Sequence, residues 1–170
     1  MRCVRLLFVT LALALAAKLF VIPEAAAREV VAMHDGAPGT IIVRTKERRL
    51  YFVLGNGRAI RYPVGVGRVG MQWTGRARVE GIYIQPAWSP PHAVRRDNPR
   101  LPDYIPGGAP NNPMGAAALT LRGGEYAIHG TNRPGSIGRF VSYGCIRMYN
   151  RDVLDLMDRV QVGTPVLVTR

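Results

Sequence analysis

The segment GTIIVRTKERRLYFVLGNGRAIRYPVGVG, residues 39–67, carries the clearest signal for the fold. It contains two runs of β-branched and aromatic residues, TIIVRT and RRLYFVL, and a third run, AIRYPVGV, follows the letters GNGR. Runs of this composition are typical of strands, and an Asn-Gly pair between two of them predicts a tight hairpin turn. The segment therefore predicts that the domain opens with paired antiparallel strands.

Further strands are predicted on both sides of a long loop. GIYIQP (81–86) has strand composition, and AALTL (117–121) and EYAIHG (125–130) are expected to pair through the turn RGGE (122–125). The loop between them, residues 86–115, is rich in proline, which argues against helix. A loop of this length in a compact domain is usually functional, so we expect an ordered flap beside a site.

One helix is predicted, over NRDVLDLMDRV (150–160). Asn150 is expected as its N-cap, and Asp152 favours the positive end of the helix dipole. Gly163 would end the helix, and TPVLVTR would close the chain as a strand. The apolar residues that share one helix face are Val153, Leu154, Met157 and Val160. The predicted class is mainly β, a β-rich α+β domain with one short helix.

The N-terminal residues 1–27 have the pattern of an export signal. Arg2 and Arg5 precede an apolar run over residues 6–17, and three alanines at 25–27 suit a cleavage site. The uninterrupted apolar run is shorter than the ~20 residues of a spanning helix. We therefore expect a signal peptide, with an uncleaved N-terminal anchor as the alternative.

The charge of the chain narrows its partners. Lys and Arg number 23 and Asp and Glu 11, which gives a formal net charge of +12. A basic exported protein suits an acidic wall polymer or an anionic membrane surface, and export argues against nucleic acid. The alternative is a basic surface that serves solubility alone.

A single cysteine, Cys145, would remain after removal of the signal, because Cys3 lies within it. A lone cysteine excludes a disulfide framework. An unpaired thiol is a liability in an oxidising compartment, so its presence calls for an explanation. Burial as an inert side chain is one explanation, since free cysteine is among the most buried residue types.

The stretch HGTNRPGSIGRFVSYGCIRMYNRDV (129–153) offers the other explanation. His129 lies at a predicted strand end, where an imidazole beside the Cys145 thiol would activate it. Gly144 permits unusual backbone angles, and unpaired N–H groups in such a turn stabilise an anion. Arg147 can bind a carboxylate through two parallel hydrogen bonds. These residue types suit acyl transfer, whereas a zinc site would need three or four protein ligands.

Several stretches together resemble the L,D-transpeptidase catalytic domain (YkuD-like) family. The active-site signature of the family is similar to HGTNRPGSIG followed by SYGCIRM and the spaced N.DV. Its opening hairpin is similar to RLYFVLGNGRAIRYPVGVG. The spaced pattern P.W.PP…LP.YIPGG..NPMG resembles the ErfK/YbiS/YcfS/YnhG branch, and DV.DLMDRVQVGTPVLV also matches. The resemblance covers about residues 39–169. It implies a β-sandwich-like catalytic domain over 39–170, preceded by a lead-in at 28–38.

The resemblance also implies roles for individual residues. Cys145 would be the nucleophile and His129 the base, with the carbonyl of Gly130 orienting the imidazole and no cofactor or metal taking part. The N–H groups of Tyr143, Gly144 and Cys145 are candidates for an oxyanion hole. Tyr143 stands where many members have histidine, and we expect this difference to affect the acceptor.

Four more residues are substrate-binding candidates. Arg147 would hold a substrate carboxylate or order the pocket. Ser142 would touch substrate or shape the turn, and Asn132 would touch substrate or be solvated. Trp88 would contact substrate or pack within the flap.

The implied reaction is peptidoglycan cross-linking in the periplasm or cell envelope. Cys145 would attack a tetrapeptide stem, release D-Ala, and pass the acyl group to an amine of a second stem as a 3–3 cross-link. Water as acceptor would make a carboxypeptidase, and a lysine of an envelope lipoprotein or outer-membrane protein would make an anchoring enzyme. An inactive peptidoglycan-binding module is the alternative of another class. Sortases separate His and Cys much further, and papain-like peptidases place Cys before His.

Overall fold

The computed structural model describes residues 28–123 and 126–170. The predicted signal peptide therefore lies outside the described residues. Within the described ranges the strands are β1 (Glu29–Ala32), β2 (Ile41–Arg44), β3 (Arg49–Gly55), β4 (Arg58–Pro63), β5 (Val66–Gly67), β6 (Gly75–Ile84), β7 (Ala117–Leu121), β8 (Ala127–His129), β9 (Phe140–Ser142), β10 (Ile146–Arg147) and β11 (Pro165–Thr169). The α-helices there are α1 (His92–Asp97) and α2 (Asn150–Met157).

The predicted opening hairpin is confirmed. β2, β3 and β4 pair in antiparallel order, and the turn between β3 and β4 has Asn56 at φ 51° and Gly57 at φ 68°. Positive φ at two successive turn residues is what an Asn-Gly pair supplies at low cost. The lead-in is more than a linker, because its residues 29–32 form β1 and pair with β4.

β6 joins the two halves of the sheet. Its first residues pair with β11 and its later residues with β7, and the register shifts between Val79 and Gly81. The strand order is β1-β4-β3-β2-β11-β6-β7-β8-β10, with β5 and β9 as a separate parallel pair. The sequence predicted only the second part of β6, at 81–86. Charged residues such as Arg76 and Arg78 concealed the first part, because one face of it is exposed.

Side chains from both halves of the sheet meet in one core. Ile41 and Leu50 come from one half and Leu119 and Ile128 from the other, and all four are fully buried. Burying such side chains stabilises the fold by ~1.5–3 kcal/mol each. α2 packs on the same core through Val153 and Leu156. The mainly β, sandwich-like class is therefore confirmed.

The two helices differ from the prediction. α2 begins at Asn150 as expected but ends at Met157, and its N-cap is Tyr149. α1 lies inside the proline-rich loop 86–115, where no helix was expected. Pro91 directly precedes its first helical residue, a place that tolerates proline because no intrahelical N–H is needed there. No helix among the described residues is long and apolar enough to cross a membrane.

Candidate active site

Two neighbouring parallel strands bring the predicted catalytic groups together. β10 pairs with β8 so that Arg147 lies opposite His129. Residues in register on adjacent strands share a face, and so does a residue two positions away. Cys145, two residues before Arg147, therefore approaches the same face, and all three line one cavity of about 110 Å³. The remaining lining residues are Trp88, Pro91, Ala93, Val94, Pro113, Met114, Tyr126, Ser142 and Tyr143.

The turn before Cys145 depends on Gly144. Its φ is +124°, and a Cβ at this position would lie 2.3 Å from the Tyr126 ring. The indole of Trp73 stacks on that ring with centroids 5.0 Å apart, and its Nε1–H donates to the Gly144 carbonyl at 3.0 Å. Trp73 and Tyr126 thus support the turn from behind. Sequence reasoning missed both residues, which lie 72 and 19 positions from Cys145.

Ser142 closes the turn on itself. Its Oγ–H donates to the Cys145 carbonyl at 2.6 Å, and its Oγ accepts from the Gly144 N–H at 3.1 Å. The hydroxyl therefore shapes the turn, one of the two roles expected for it. The Gly144 N–H does not fit its expected role in the oxyanion hole, because it already donates to Ser142 Oγ. The N–H groups of Tyr143 and Cys145 remain the prediction for that role.

His129 is buried, with 4% of its surface exposed. The pKa of its imidazole is lowered to about 4, first by burial and then by the positive charge of Arg147, while backbone hydrogen bonds at Gly130 and Pro113 act in the opposite direction. The ring is therefore neutral at pH 7 and able to accept a proton. The expected role of the Gly130 carbonyl in orienting the imidazole stays a prediction, and Nδ1 has no hydrogen-bond partner within the described residues.

Arg147 sets the charge of the cavity. Burial lowers the pKa of its guanidinium, while the negative charge of a Cys145 thiolate raises it. The same attraction stabilises the thiolate, whereas the guanidinium disfavours a charged His129. In the described part of the chain, the buried Nε–H of Arg147 has no hydrogen-bond partner. A cation in the cavity wall with an unmatched donor suits a substrate carboxylate.

Asn150 positions the loop that follows His129. Its Oδ1 accepts from the N–H of Thr131 at 2.9 Å and from the N–H of Ala116 at 3.1 Å. A Cβ on Gly130 would lie 2.3 Å from the same oxygen, so only glycine allows this approach. The sequence predicted Asn150 as an N-cap, which is wrong, because its side chain reaches across to two other segments. No local pattern in the sequence predicts that contact.

Of two further predicted residues, Trp88 lines the cavity and Asn132 does not. Trp88 is half-buried, lines the cavity, and pairs through its backbone with Ile105. Asn132 lines neighbouring grooves instead, and its Nδ2–H donates to the Pro110 carbonyl at 3.4 Å. Across residues 28–123 and 126–170, no three His, Cys, Asp or Glu side chains gather as metal ligands.

Known proteins resemble this chain over most of its length. The model of the family YkuD, L,D-transpeptidase catalytic domain, matches residues 38–168. A curated relative, "Probable L,D-transpeptidase YbiS" of Escherichia coli, is 40% identical over 143 residues, which is 79% of this chain. The chain spans 44% of the length of that relative.

Solved structures share the fold. An L,D-transpeptidase from Mycobacterium smegmatis aligns with a TM-score of 0.61 over 77% of this chain and 58% of its own, at 16% identity. A Brucella melitensis protein described as a probable carnitine operon oxidoreductase has a TM-score of 0.57 and 36% identity. That alignment covers 87% of this chain and 96% of the other. Because the family model matches nearly all of the described core, this chain belongs to the L,D-transpeptidase catalytic domain family.

Proposed function

We propose that this chain is an exported peptidoglycan L,D-transpeptidase that works through a cysteine acyl-enzyme. The observation that carries the proposal is the single cavity shared by Cys145, His129 and Arg147. A thiol, a neutral imidazole and a guanidinium supply a nucleophile, a base and an anion-binding group. The membership of the family supplies the substrate class, a peptidoglycan stem peptide.

The first half-reaction forms a thioester. Cys145 Sγ attacks the carbonyl carbon between the third stem residue and the terminal D-Ala, and its proton passes to His129. A buried imidazole beside Arg147 releases that proton readily, so His129 next protonates the amine of the departing D-Ala. The N–H groups of Tyr143 and Cys145 are the proposed donors to the oxyanion of the tetrahedral intermediate.

The second half-reaction transfers the acyl group. An amine of a neighbouring stem attacks the thioester, gives a proton to His129, and displaces the Cys145 thiolate, which regains a proton. The product is a 3–3 cross-link. Arg147 would hold a carboxylate of the stem, and the basic net charge of the chain would attract the acidic polymer.

Other acceptors define the alternatives. Water would give an L,D-carboxypeptidase, and a lysine of an envelope lipoprotein or outer-membrane protein would give an anchoring enzyme. The second stem amine is proposed first because the family takes its name from transpeptidation. We propose the periplasm or cell envelope as the location because the substrate is found there.

One experiment separates these outcomes. Residues 28–170 and the Cys145→Ala variant would each be incubated with disaccharide-tetrapeptide, and the products and intact enzyme weighed by mass spectrometry. We expect an acyl adduct on the enzyme, release of D-Ala and a dimeric product, all lost with Cys145. Tripeptide without dimer would indicate hydrolysis or a missing protein acceptor. Folded enzyme that binds cell wall but forms no adduct would refute the proposal in favour of a binding module.

A histidine pair tests the base. His129→Gln should abolish adduct formation, because no other described group takes the proton in this scheme. His34→Gln is the matched control, since His34 is exposed and lies outside the cavity. Equal adduct formation by the two variants would remove His129 from the mechanism.

A further inference from the structure

A polar network joins Tyr143 to the flap, residues 86–115. The Tyr143 hydroxyl donates to Asp97 Oδ2 at 2.8 Å, and Arg68 Nη2 donates to the same oxygen at 2.7 Å. The Arg68 guanidinium also lies 4.2 Å from the centroid of the Tyr143 ring. We call these three residues the Asp97 network. Its two hydrogen bonds lower the pKa of Asp97 to about 2, so the carboxylate stays charged near neutrality.

The network connects a fixed part of the molecule to a loosely held part. Arg68 follows β5, and its backbone N–H donates to the Ser142 carbonyl at 2.9 Å, directly before Tyr143. Arg68 and Tyr143 are therefore fastened to the β5–β9 pair and to the turn of Cys145. Asp97, by contrast, is the last residue of α1.

The base and the tip of the flap are held differently. At the base, the buried side chain of Asn112 donates to the carbonyls of Pro86 and Pro106, both at 2.9 Å. At the tip, α1 buries none of its six residues and has no side-chain N-cap. Apolar burial therefore contributes little to holding α1, and the polar contacts of Asp97 tie α1 to Arg68 and Tyr143 outside the flap.

The tip of the flap narrows the cavity that a stem peptide would have to enter. α1 and the residue before it line the cavity through Pro91, Ala93 and Val94. The cavity holds about 110 Å³, whereas pockets for small organic ligands measure ~300–1,000 Å³. A second stem in the same site needs still more space. Release of α1 would enlarge the space beside Cys145.

We propose that Tyr143, acting with Arg68 through Asp97, is a specificity-determining residue that holds α1 across the cavity and limits the size of the acceptor. This inference rests on the proposed function, because it concerns the second half-reaction at the same cysteine. With the network intact, water and small amines reach the thioester more easily than a second stem. Weakening the network favours the stem.

The test compares two acceptors that compete for one acyl-enzyme. Residues 28–170 are acylated with tetrapeptide stem, and glycinamide and a second stem are offered together. Mass spectrometry gives the ratio of dimer to glycinamide adduct. In Asp97→Asn and Tyr143→Phe we expect this ratio to rise about 3- to 10-fold, the size expected for losing one partly exposed charged hydrogen bond.

Asp103→Asn is the matched control. Asp103 lies in the same flap, is 85% exposed, and pairs with Arg95 within the flap. This substitution removes the same charge without touching the Asp97 network, so the product ratio should stay within about two-fold of the wild type. A rise in Asp103→Asn equal to that in Asp97→Asn would show that flap charge alone sets the ratio, and would overturn the proposal.

Hydrogen–deuterium exchange provides a measurement that needs no activity. Amides of residues 92–98 should exchange faster in Asp97→Asn than in the wild type or in Asp103→Asn. Unchanged exchange together with an unchanged ratio in Asp97→Asn would overturn the proposal. Failure of the wild type to form any adduct would instead refute the proposed function, and the specificity role with it, while exchange would still report whether the network holds α1.

Discussion

The two walls of the cavity are built on different physical principles. One wall consists of β8, β10 and the turn at Gly144, where buried groups and close backbone contacts leave no room for another atom. The other wall is α1, which buries none of its residues and is tied down by partly exposed polar contacts. Close packing fixes a geometry rigidly, whereas partly exposed polar contacts contribute little net free energy. The proposed reacting groups lie on the first wall, and in our proposal access to them depends on the second.

The strand wall should fail when one methyl group is added at Gly144. Gly144→Ala forces a side chain into φ +124° and places its Cβ 2.3 Å from the Tyr126 ring. Strain and overpacking together should lower the free energy of unfolding by about 4 kcal/mol in urea denaturation. Gly138→Ala is the control, since φ there is +80° but nothing lies within 4 Å of the new Cβ. It should cost about 1 kcal/mol, and equal losses in both variants would refute the packing argument.

Lowering the pH should reduce the stability contributed by the strand wall before it affects the contacts of the flap. The pKa of His129 is lowered to about 4, so the unfolded chain takes up a proton below pH 6.5 while the folded chain resists. Stability should therefore fall by about 3 kcal/mol from pH 7 to pH 4. The pKa of Asp97 is lowered to about 2, so its contribution survives that range. Urea denaturation at each pH gives the free energy of unfolding of the wild type and of His129→Gln, and the difference between the two isolates the effect. A difference that does not change with pH would contradict the prediction.

Asn150 tests whether the strand wall also depends on a contact from α2. Asn150→Ala leaves the N–H groups of Thr131 and Ala116 without their acceptor, which should cost about 2 kcal/mol in unfolding. Because the loop after His129 loosens, kcat should fall by about ten-fold. Asn150→Asp keeps an acceptor oxygen and should restore most of kcat. Equal kcat in the two variants would show that Asn150 does not position the base.

Substitution of Trp73 should have the smallest effect on the free energy of unfolding. Trp73→Phe removes the hydrogen bond to the Gly144 carbonyl but keeps an aromatic ring against Tyr126. Loss of one hydrogen bond should lower the free energy of unfolding by about 1 kcal/mol. Tyr104→Phe is a control on the exposed flap surface and should change stability by less than ~0.5 kcal/mol. A loss above 3 kcal/mol for Trp73→Phe would mean that the ring itself, and not the hydrogen bond, supports the turn.

Local patterns predicted the elements that depend on neighbouring residues. The hairpin at Asn56-Gly57, the strand that ends at His129 and the helix start at Asn150 all follow from short stretches of sequence. The proline content of the flap predicts no helix, yet α1 forms there because Pro91 only precedes it. The first half of β6 was missed because its charged residues lie on an exposed face.

The sequence by itself predicted a nucleophile, a base and an arginine, because these residue types in one glycine-rich segment suit acyl transfer. Only the tertiary structure revealed Asn150 holding the loop of the base, Trp73 and Tyr126 supporting the turn, and Asp97 joining α1 to Tyr143. The physical reason is sequence distance. These contacts join residues 19 to 71 positions apart, and no local pattern encodes which distant atoms the fold brings together.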